Sequence, residues 1–412
     1  MVEGPPPHTT TKHETPIRPE TRFTLRSHSF RPVRGGLATV TAWQDTLTVG
    51  DATIKSGDGW GGHEFTQISA GIQHTVAIKN TGNTWGWGDN HLGQLGDGTT
   101  TGRTTPVQVA GGHKFTQMSA GGHHTVAIDS NGDTWAWGNN RDGQLGDGTR
   151  TNSSTPIQVA GGHKFAQISA GMLHTVAIDP NGDTWAWGYN NFGQLGDGTT
   201  TNRSTPIQVF GGHRFTQISA GAVHAVAIDT DGDTWAWGYN SDGRLGDGTT
   251  INRNTPVKVT GGHKFAQISA GAVHTVAIDT DGNAWAWGLN SNGQLGNGTN
   301  TTSLAPVQVM GGHKFVQIST AYQHTVAIDP NGDTWAWGSN HSGELGDTTT
   351  NNRNTPVKVF GGHKFTQISA GDEHTVAIDR NGDAWAWGDN GDGRLGDGTT
   401  IDRNIPVKVK VP

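Results

Sequence analysis

The chain is built on an internal repeat of 50 residues, and this period limits its fold more than any other feature. The repeat shows no insertion or deletion, and its successive copies occupy residues 61–110, 111–160, 161–210, 211–260, 261–310, 311–360 and 361–410. A short repeated unit of this kind buries its apolar faces only against its neighbours. An open stack needs distinct capping repeats at both ends. The end copies here resemble the others, which favours a ring.

Each copy predicts four short strands. In the third copy they are Phe165–Ala170, His174–Ile178, Thr184–Gly188 and Thr205–Val209. The Asn-Gly pair near the end of the turn Asp179–Gly182 is a strong hairpin signal. The longer connection from Tyr189 to Ser204 is rich in Gly, Asn and Thr and predicts an ordered loop. Seven such units predict an all-β fold, a closed seven-bladed β-propeller with four-stranded blades.

Tryptophan supplies much of the predicted core. The 412-residue chain is only 32% hydrophobic, yet it contains 16 Trp and 64 Gly. Because a blade buries both faces, paired indoles such as Trp85 with Trp87, and Trp185 with Trp187, are expected to pack against neighbouring blades. The high Gly content indicates many tight turns.

The two residue blocks before the repeats predict different roles. Residues 1–36 are rich in Pro, Thr and Arg, and they predict a disordered tail. Residues 37–60 alternate like a decayed strand pair, and we expect them to close the ring by covering a sheet edge.

Charge and hydropathy exclude several kinds of partner. The net charge of −7, from 28 basic and 35 acidic residues, argues against nucleic-acid binding. No run of 18 apolar residues is present, so no membrane contact is expected. The N-terminal residues show no secretion signal, which predicts a cytoplasmic location, with an extracellular location as the alternative. We also expect a monomer.

Recurring histidines predict structure rather than chemistry. His74, His174 and their equivalents are expected to hold a turn by a hydrogen bond to a backbone carbonyl. A sevenfold ring does not bring imidazoles into the tetrahedral geometry that zinc requires. The set from His63 to His363 is likewise assigned a structural role.

Other polar motifs also predict turns. The segment Asp229–Asp233 resembles the start of a calcium loop but lacks the later bidentate Glu. Asp97 and its equivalents predict Asx turns. Catalysis needs a singular constellation, and the sameness of the copies argues against one. We therefore expect no enzyme activity, catalytic residue, cofactor or metal.

The strings ISAGIQHTVAI at Ile68–Ile78 and TWGWGDNHLGQLGDGT at Thr84–Thr99 resemble the regulator-of-chromosome-condensation repeat. The resemblance extends over all seven copies and departs at few positions, such as Ala225 and Ala321. The near-identity of the copies is similar to that of bacterial members. The resemblance implies a seven-bladed propeller. Members of the family have varied functions: the namesake is an exchange factor for a small GTPase and also docks on chromatin, and others are ubiquitin-ligase modules, photoreceptors and a secreted β-lactamase inhibitor.

Differences between the copies predict where a partner binds. Two sets of positions vary most: the dipeptide before each His of the set from His74 to His374, and the residues after each Trp-Gly pair. Alternating strand direction places both sets at the same end of the blades, and loops on a rigid scaffold commonly carry function. The expected binding residues are Ile72, Gln73, Asp89, His91, His123, Arg141, Met172, Leu173, Tyr189, Phe192, Tyr239, Leu289, Tyr322, Gln323, His341, Asp372, Glu373 and Asp389.

These positions predict a non-catalytic protein-binding scaffold. Their apolar members are expected to be exposed, as in an interaction patch: Ile72, Met172, Leu173, Tyr189, Phe192, Tyr239 and Tyr322. Simple drift of surface loops is the competing explanation. Guanine-nucleotide exchange on a small GTPase, implied by the family resemblance, stays open, although no copy carries the inserted wedge of the namesake. A lectin-like or enzyme-inhibitor role is a further alternative.

Overall fold

The computed structural model describes Met1 and residues 65–410 of the protein. Apart from Met1, the predicted tail 1–36 and the predicted closing strands 37–60 lie outside the described residues. The described chain forms seven four-stranded sheets, and each sheet falls within one 50-residue copy. The prediction of an all-β seven-bladed propeller is therefore confirmed.

We number the blades and strands in chain order. Blade 1 contains β1 (Phe65–Ala70), β2 (His74–Lys79), β3 (Thr84–Gly88) and β4 (Arg103–Gln108); blade 2, β5 (Phe115–Ala120), β6 (His124–Asp129), β7 (Thr134–Gly138) and β8 (Ser153–Gln158); blade 3, β9 (Gln167–Ala170), β10 (His174–Ile178), β11 (Thr184–Gly188) and β12 (Arg203–Gln208); blade 4, β13 (Phe215–Ala220), β14 (His224–Asp229), β15 (Thr234–Gly238) and β16 (Arg253–Lys258); blade 5, β17 (Phe265–Ala270), β18 (His274–Asp279), β19 (Ala284–Gly288) and β20 (Ser303–Gln308); blade 6, β21 (Gln317–Thr320), β22 (His324–Ile328), β23 (Thr334–Gly338) and β24 (Arg353–Lys358); blade 7, β25 (Phe365–Ala370), β26 (His374–Asp379), β27 (Ala384–Gly388) and β28 (Arg403–Lys408). A short 3₁₀ turn, Ala110–Gly112, follows blade 1.

Every blade is an antiparallel meander in which each strand pairs with the next one along the chain. Within residues 65–410, no strand is shared between blades. The fourth strands are the outermost ones, and each carries a proline such as Pro106 or Pro206. Proline cannot donate a backbone hydrogen bond, so its presence protects the open edge from pairing with another chain. No helix in this part of the chain is long and apolar enough to cross a membrane.

Three strand boundaries differ from the prediction for the third copy, one of them being the end of the fourth strand, which lies at Gln208 rather than Val209. The fourth strand begins at Arg203 rather than Thr205, because a bulge pairs Gly188 with Arg203. The first strand begins at Gln167 rather than Phe165. Blade 6 is shortened in the same way, and only these two copies have proline in the hairpin, at Pro180 and Pro330.

The proline explains the shorter strand. In blade 4, the equivalent Thr230 donates its backbone N–H to the Arg214 carbonyl at 3.2 Å. Proline has no N–H and cannot make this bond. The last rung between the first two strands is lost in blades 3 and 6 for this reason.

The core lies between blades, as the paired indoles predict. Trp187 is fully buried with Val126, Ile128 and Leu145 of blade 2 and Phe165 of blade 3, and the half-buried Trp185 packs against the same cluster. The Trp187 indole N–H donates to the Gln144 carbonyl of blade 2 at 2.9 Å. Each of the seven blade junctions has a cluster of this kind.

The same packing joins the two ends of the array. Trp87 and Phe65 of blade 1 are buried with Val376 and Leu395 of blade 7. The Phe65 backbone N–H donates to the Gly382 carbonyl at 2.9 Å. The ring is therefore closed by side-by-side packing of blades 1 and 7.

Candidate functional site

The first strands of all seven blades surround a central cavity of about 570 Å³. Its wall consists mostly of the small Ser-Ala-Gly segments at the ends of these strands, such as Ser69–Gly71. Seven of the predicted binding residues also line it: Ile72, Gln73, His123, Met172, Tyr322, Asp372 and Glu373. The variable dipeptides are thus gathered around one end of the cavity. Leu173 and Gln323 lie in the same turns.

The second variable set lies beside the first. The Asp89 backbone N–H donates to the Gln73 carbonyl at 2.8 Å, and Tyr189 donates to the Leu173 carbonyl at 2.9 Å. The same bond recurs in every blade. We call this surface the upper face: the turns between first and second strands, together with the four residues that follow each third strand. All of the predicted binding residues lie on it.

The opposite end of each blade varies less, although the second residue after each fourth strand there also differs between the copies. The Gly-Gly-His connection between blades lies against the hairpin of the preceding blade, since Phe115 donates its N–H to the Gly82 carbonyl at 3.2 Å. The ring of His113 packs on Trp135 with centroids 4.1 Å apart and on Phe115 at 5.7 Å. This histidine set is therefore part of the packing of the lower end.

An aromatic cluster joins blades 3 and 4 on the upper face. The Phe192 ring lies 4.7 Å from that of Tyr239 and 6.1 Å from that of Tyr189, measured between centroids. The Arg244 guanidinium lies over the Tyr239 ring at 4.8 Å. A cation above an aromatic face adds attraction that holds the ring in place.

Exposure of the predicted apolar residues is lower than expected. Met172 and Tyr322 are exposed, at 39% and 44%. The other five are half-buried: Ile72, Leu173, Tyr189, Phe192 and Tyr239. The three aromatic rings cover one another, and Ile72 and Leu173 lie in tight turns, so the prediction that all seven are exposed was wrong.

Acidic side chains concentrate where blades 6 and 7 meet. Burial, together with the charge of Glu373, raises the pKa of Asp372 to about 6. Burial also raises the pKa of Glu344, which occupies a position that is Gln in most copies. Arg394 pairs with Asp389 at 2.9 Å and partly balances this charge. Sequence comparison missed Glu344, although its departure from Gln was visible in the copies.

Six of the seven recurring histidines bond to a threonine of the next blade. His74 Nε2 lies 3.1 Å from Thr125 Oγ1, and that hydroxyl donates to the Gln94 carbonyl at 2.9 Å. A hydroxyl has one hydrogen, so the imidazole must be the donor in the first bond. The predicted bond to a backbone carbonyl was wrong. Burial lowers the pKa of His74 to about 3, which keeps the ring neutral.

Asx turns order the loop after each third strand, as predicted. Asp97 Oδ1 accepts from the Thr99 backbone N–H at 2.9 Å. Its other oxygen pairs with Arg103 at 2.8 Å. The turn of Asp229 is similar, because its carboxylate accepts from Asp231, Asp233 and Trp235. That carboxylate is thus used within the hairpin.

Comparison with known proteins now identifies the family. The model for the RCC1-like domain matches residues 113–412, and two models of the regulator of chromosome condensation (RCC1) repeat match residues 81–128 and 65–94. The chain belongs to the RCC1-like domain family. Among curated proteins, a segment of 45 residues is 44% identical to the ultraviolet-B receptor UVR8 of Arabidopsis thaliana. The match covers 11% of this chain and spans 10% of the length of that protein.

Solved RCC1-like structures share the fold. Prp20p of Saccharomyces cerevisiae is 24% identical, with a TM-score of 0.72 over 85% of this chain and 88% of that one. Yeast RCC1 (Prp20) bound to Kap60 gives 23% identity and a TM-score of 0.71, over 79% and 83% of the two chains. Human WBSCR16 is 21% identical, with a TM-score of 0.69 over 76% of this chain and 86% of that one.

Two groups of side chains complete the surface of this RCC1-like propeller. Arg141 and His341 are exposed on the upper face, while Leu289 is half-buried. Large apolar residues after the fourth strands are also exposed and were missed by the sequence comparison: Phe210, Met310 and Phe360. The signal was available, because this position also differs between the copies.

Proposed function

We propose that this RCC1-like propeller is a non-catalytic protein-binding scaffold that holds its partner on the upper face. The observation that carries the proposal is the position of sequence variation. The core repeats almost unchanged from blade to blade and the lower end varies at fewer positions, whereas the variable dipeptides surround one end of the central cavity and the variable loop residues lie beside them. Varied loops on a rigid frame are the usual construction of a binding surface.

The chemistry of the upper face supports a protein as the partner. Met172 and Tyr322 are exposed beside the cavity, and the aromatic cluster joins blades 3 and 4 on the same face. Aromatic residues, Met and Arg are enriched in protein interfaces. Large side chains that are already held by neighbours also lose little conformational entropy on binding.

Structures of relatives agree with a protein partner. Yeast RCC1 (Prp20) was solved bound to Kap60, and Prp20p was described with its binding properties to Gsp1p and histones. These partners belong to those proteins. Together they support protein binding as the kind of task that an RCC1-like propeller performs.

The test compares two triple variants of the full chain. One replaces Tyr189, Phe192 and Tyr239 of the upper face by Ser. The matched control replaces the exposed Phe210, Met310 and Phe360 by Ser. Partners are recovered from the encoding organism, identified and purified, and their affinities are measured by calorimetry. We expect at least about a tenfold loss for the first variant, a change typical of interface anchors, and none for the control. Equal affinity for both variants would refute the proposal.

Guanine-nucleotide exchange is the second candidate. The binding of Gsp1p by Prp20p favours it. The uniform 50-residue copies argue against the wedge mechanism that the resemblance implies, since none carries an insertion. The test measures the rate at which small GTPases of the encoding organism release a fluorescent guanine nucleotide, with and without this protein. Acceleration that the upper-face triple variant abolishes would establish exchange as the activity of this surface.

A further inference from the structure

Three metal-ligating side chains meet on the upper face between blades 1 and 2. Asp89 and His91 lie in the loop after β3, and His123 lies in the turn before β6. One carboxylate oxygen of Asp89 and one nitrogen of each imidazole lie within 4.8 Å of one another. His91 Nδ1 contacts Asp89 Oδ2, and the two imidazole rings meet edge to face at 5.4 Å.

Surrounding groups hold these ligands in place. The Gln94 side chain, which is fully buried, donates from Nε2 to Asp89 Oδ2 at 2.7 Å. The other carboxylate oxygen of Asp89 accepts from the His91 backbone N–H at 3.1 Å. His123 Nδ1 is buried and has no hydrogen-bond partner. Bonds from outside the ligand set are what orient the ligands in metal sites.

The other blades provide an internal comparison. Each of the six remaining junctions has the same three positions, but none fills all three with His, Asp or Glu. Their residues are Asn139, Arg141 and Leu173; Tyr189, Asn191 and Val223; Tyr239, Ser241 and Val273; Leu289, Ser291 and Gln323; Ser339, His341 and Glu373; and Asp389, Gly391 and Gln73. The fold therefore does not require ligands here.

We propose that Asp89, His91 and His123 form a site for one Zn²⁺ ion. Two imidazoles and one carboxylate are a usual zinc ligand set, in which three protein ligands leave a fourth position open. The His91 side chain is 57% exposed, so the ion can enter from solvent. The sequence prediction of no metal considered the recurring histidine ring, whereas His91 and His123 lie outside it. The open position is available to water or to a side chain of a protein held on the upper face.

Zinc titration of the full chain by calorimetry tests the site. Three variants each install the residue found in another blade, so the fold has a precedent for each: Asp89→Asn, His91→Arg and His123→Leu. His341→Ser, at the position equivalent to His91, is the matched control. The chain has 20 His, so the comparison between variants is what counts. We expect the tightest binding step to vanish in the three variants and to persist in the control. Unchanged titrations for His91→Arg and His123→Leu would overturn the proposal.

A second pair of variants tests the orientation of the carboxylate. Gln94→Ala removes the hydrogen bond to Asp89, and we expect a loss of about 10–100-fold in Zn²⁺ affinity, as for other supporting groups. Gln144→Ala is its structural control, because Gln144 accepts from the Asp142 backbone N–H at 3.0 Å in blade 2, as Gln94 does from Leu92. Co²⁺ in place of Zn²⁺ adds a visible spectrum that reports coordination directly. Equal affinities for the two Ala variants, or no visible bands with Co²⁺, would contradict the site.

Discussion

At the scale of single residues, buried hydrogen-bond donors show where the repeat is imperfect. His174 Nε2 is buried without a partner, because Ala225 stands where other blades have the threonine that accepts this bond. The bond measures 3.0 Å between His124 and Thr175. We expect Ala225→Thr to restore it and to stabilise the propeller by about 1 kcal/mol. Calorimetry should show a melting temperature about 1–2 °C higher.

The control for this substitution is Ala225→Val. Valine has nearly the shape of threonine but has no hydroxyl, so it cannot accept from His174. It should give no increase in melting temperature. An equal increase for both variants would assign the effect to packing and would exclude the hydrogen bond as its source.

Another prediction at this scale concerns pH. Burial, together with Glu373, raises the pKa of Asp372 to about 6 from its ordinary value of 3.8. The folded state then holds this proton more tightly than the unfolded state, so stability falls as pH rises from about 4 through 6. We expect Asp372→Asn to stabilise the protein by about 1 kcal/mol at pH 7.5, a value reduced for solvent screening, and to have no such effect near pH 4.

Thermal melts at the two pH values measure this effect. Asp231→Asn is the matched control, since Asp231 lies at an exposed hairpin tip where other copies have Asn. It should leave the melting temperature unchanged at both values. A pH-independent gain for Asp372→Asn would contradict the assignment of the effect to ionisation.

At the scale of the element, the loop after each third strand is held by one asparagine. Asn190 is fully buried, accepts from the Leu195 backbone N–H at 2.9 Å, and donates to Asp197 at 3.1 Å and to the Thr201 carbonyl at 3.1 Å. The loop presents Tyr189 and Phe192 through these bonds. We expect Asn190→Ala to destabilise the protein by about 3 kcal/mol, because several buried groups lose their partners. Denaturant titration measures this.

The adjacent Asn191 provides the control. It is exposed, so Asn191→Ala should change the free energy of unfolding by less than about 0.5 kcal/mol. Similar losses for the two substitutions would show that the loop is not anchored through the buried amide.

Strands could be predicted from the sequence more fully than side-chain partners. Hairpin turns and alternating residues placed the second and third strands of blade 3 correctly, at His174–Ile178 and Thr184–Gly188. The early start of the fourth strand depends on a bulge, which alternation alone does not reveal. Where a recurring histidine has a threonine partner, that threonine lies in the next blade, so only the packing of blades identifies it.

At the scale of the whole molecule, the period of the repeat was enough to predict the ring. Uniform copies can share one kind of junction, and the seven inter-blade clusters are alike. The gathering of variable residues on one face followed from strand direction. The exposure of these residues could not be predicted in this way, because whether Phe192 contacts Tyr239 depends on the distance between adjacent blades. For the same reason, the sequence did not reveal that the side chains of Asp89, His91 and His123 lie close together.

Closure of the ring leads to a prediction about the segment before the repeats. Blade 7 contacts blade 1 through bonds that recur at other junctions: Gln367 accepts from the Ile68 backbone N–H at 2.6 Å, Ser369 accepts from Ala70 at 3.0 Å, and Thr75 lies 3.1 Å from His374. These bonds are complete without residues 2–60. We therefore expect a chain lacking residues 2–60 to melt within about 1 °C of the full chain.

Removal of residues 361–412 should act differently, because it takes away blade 7 and exposes the apolar faces of blades 1 and 6 together. Cooperative melting should be lost, and the chain should associate through those faces. Calorimetry and light scattering on the two truncated chains distinguish the outcomes. A fall of more than about 5 °C on deleting residues 2–60 would mean that this segment stabilises the ring. Packing of blade 7 against blade 1 would then be insufficient to close it.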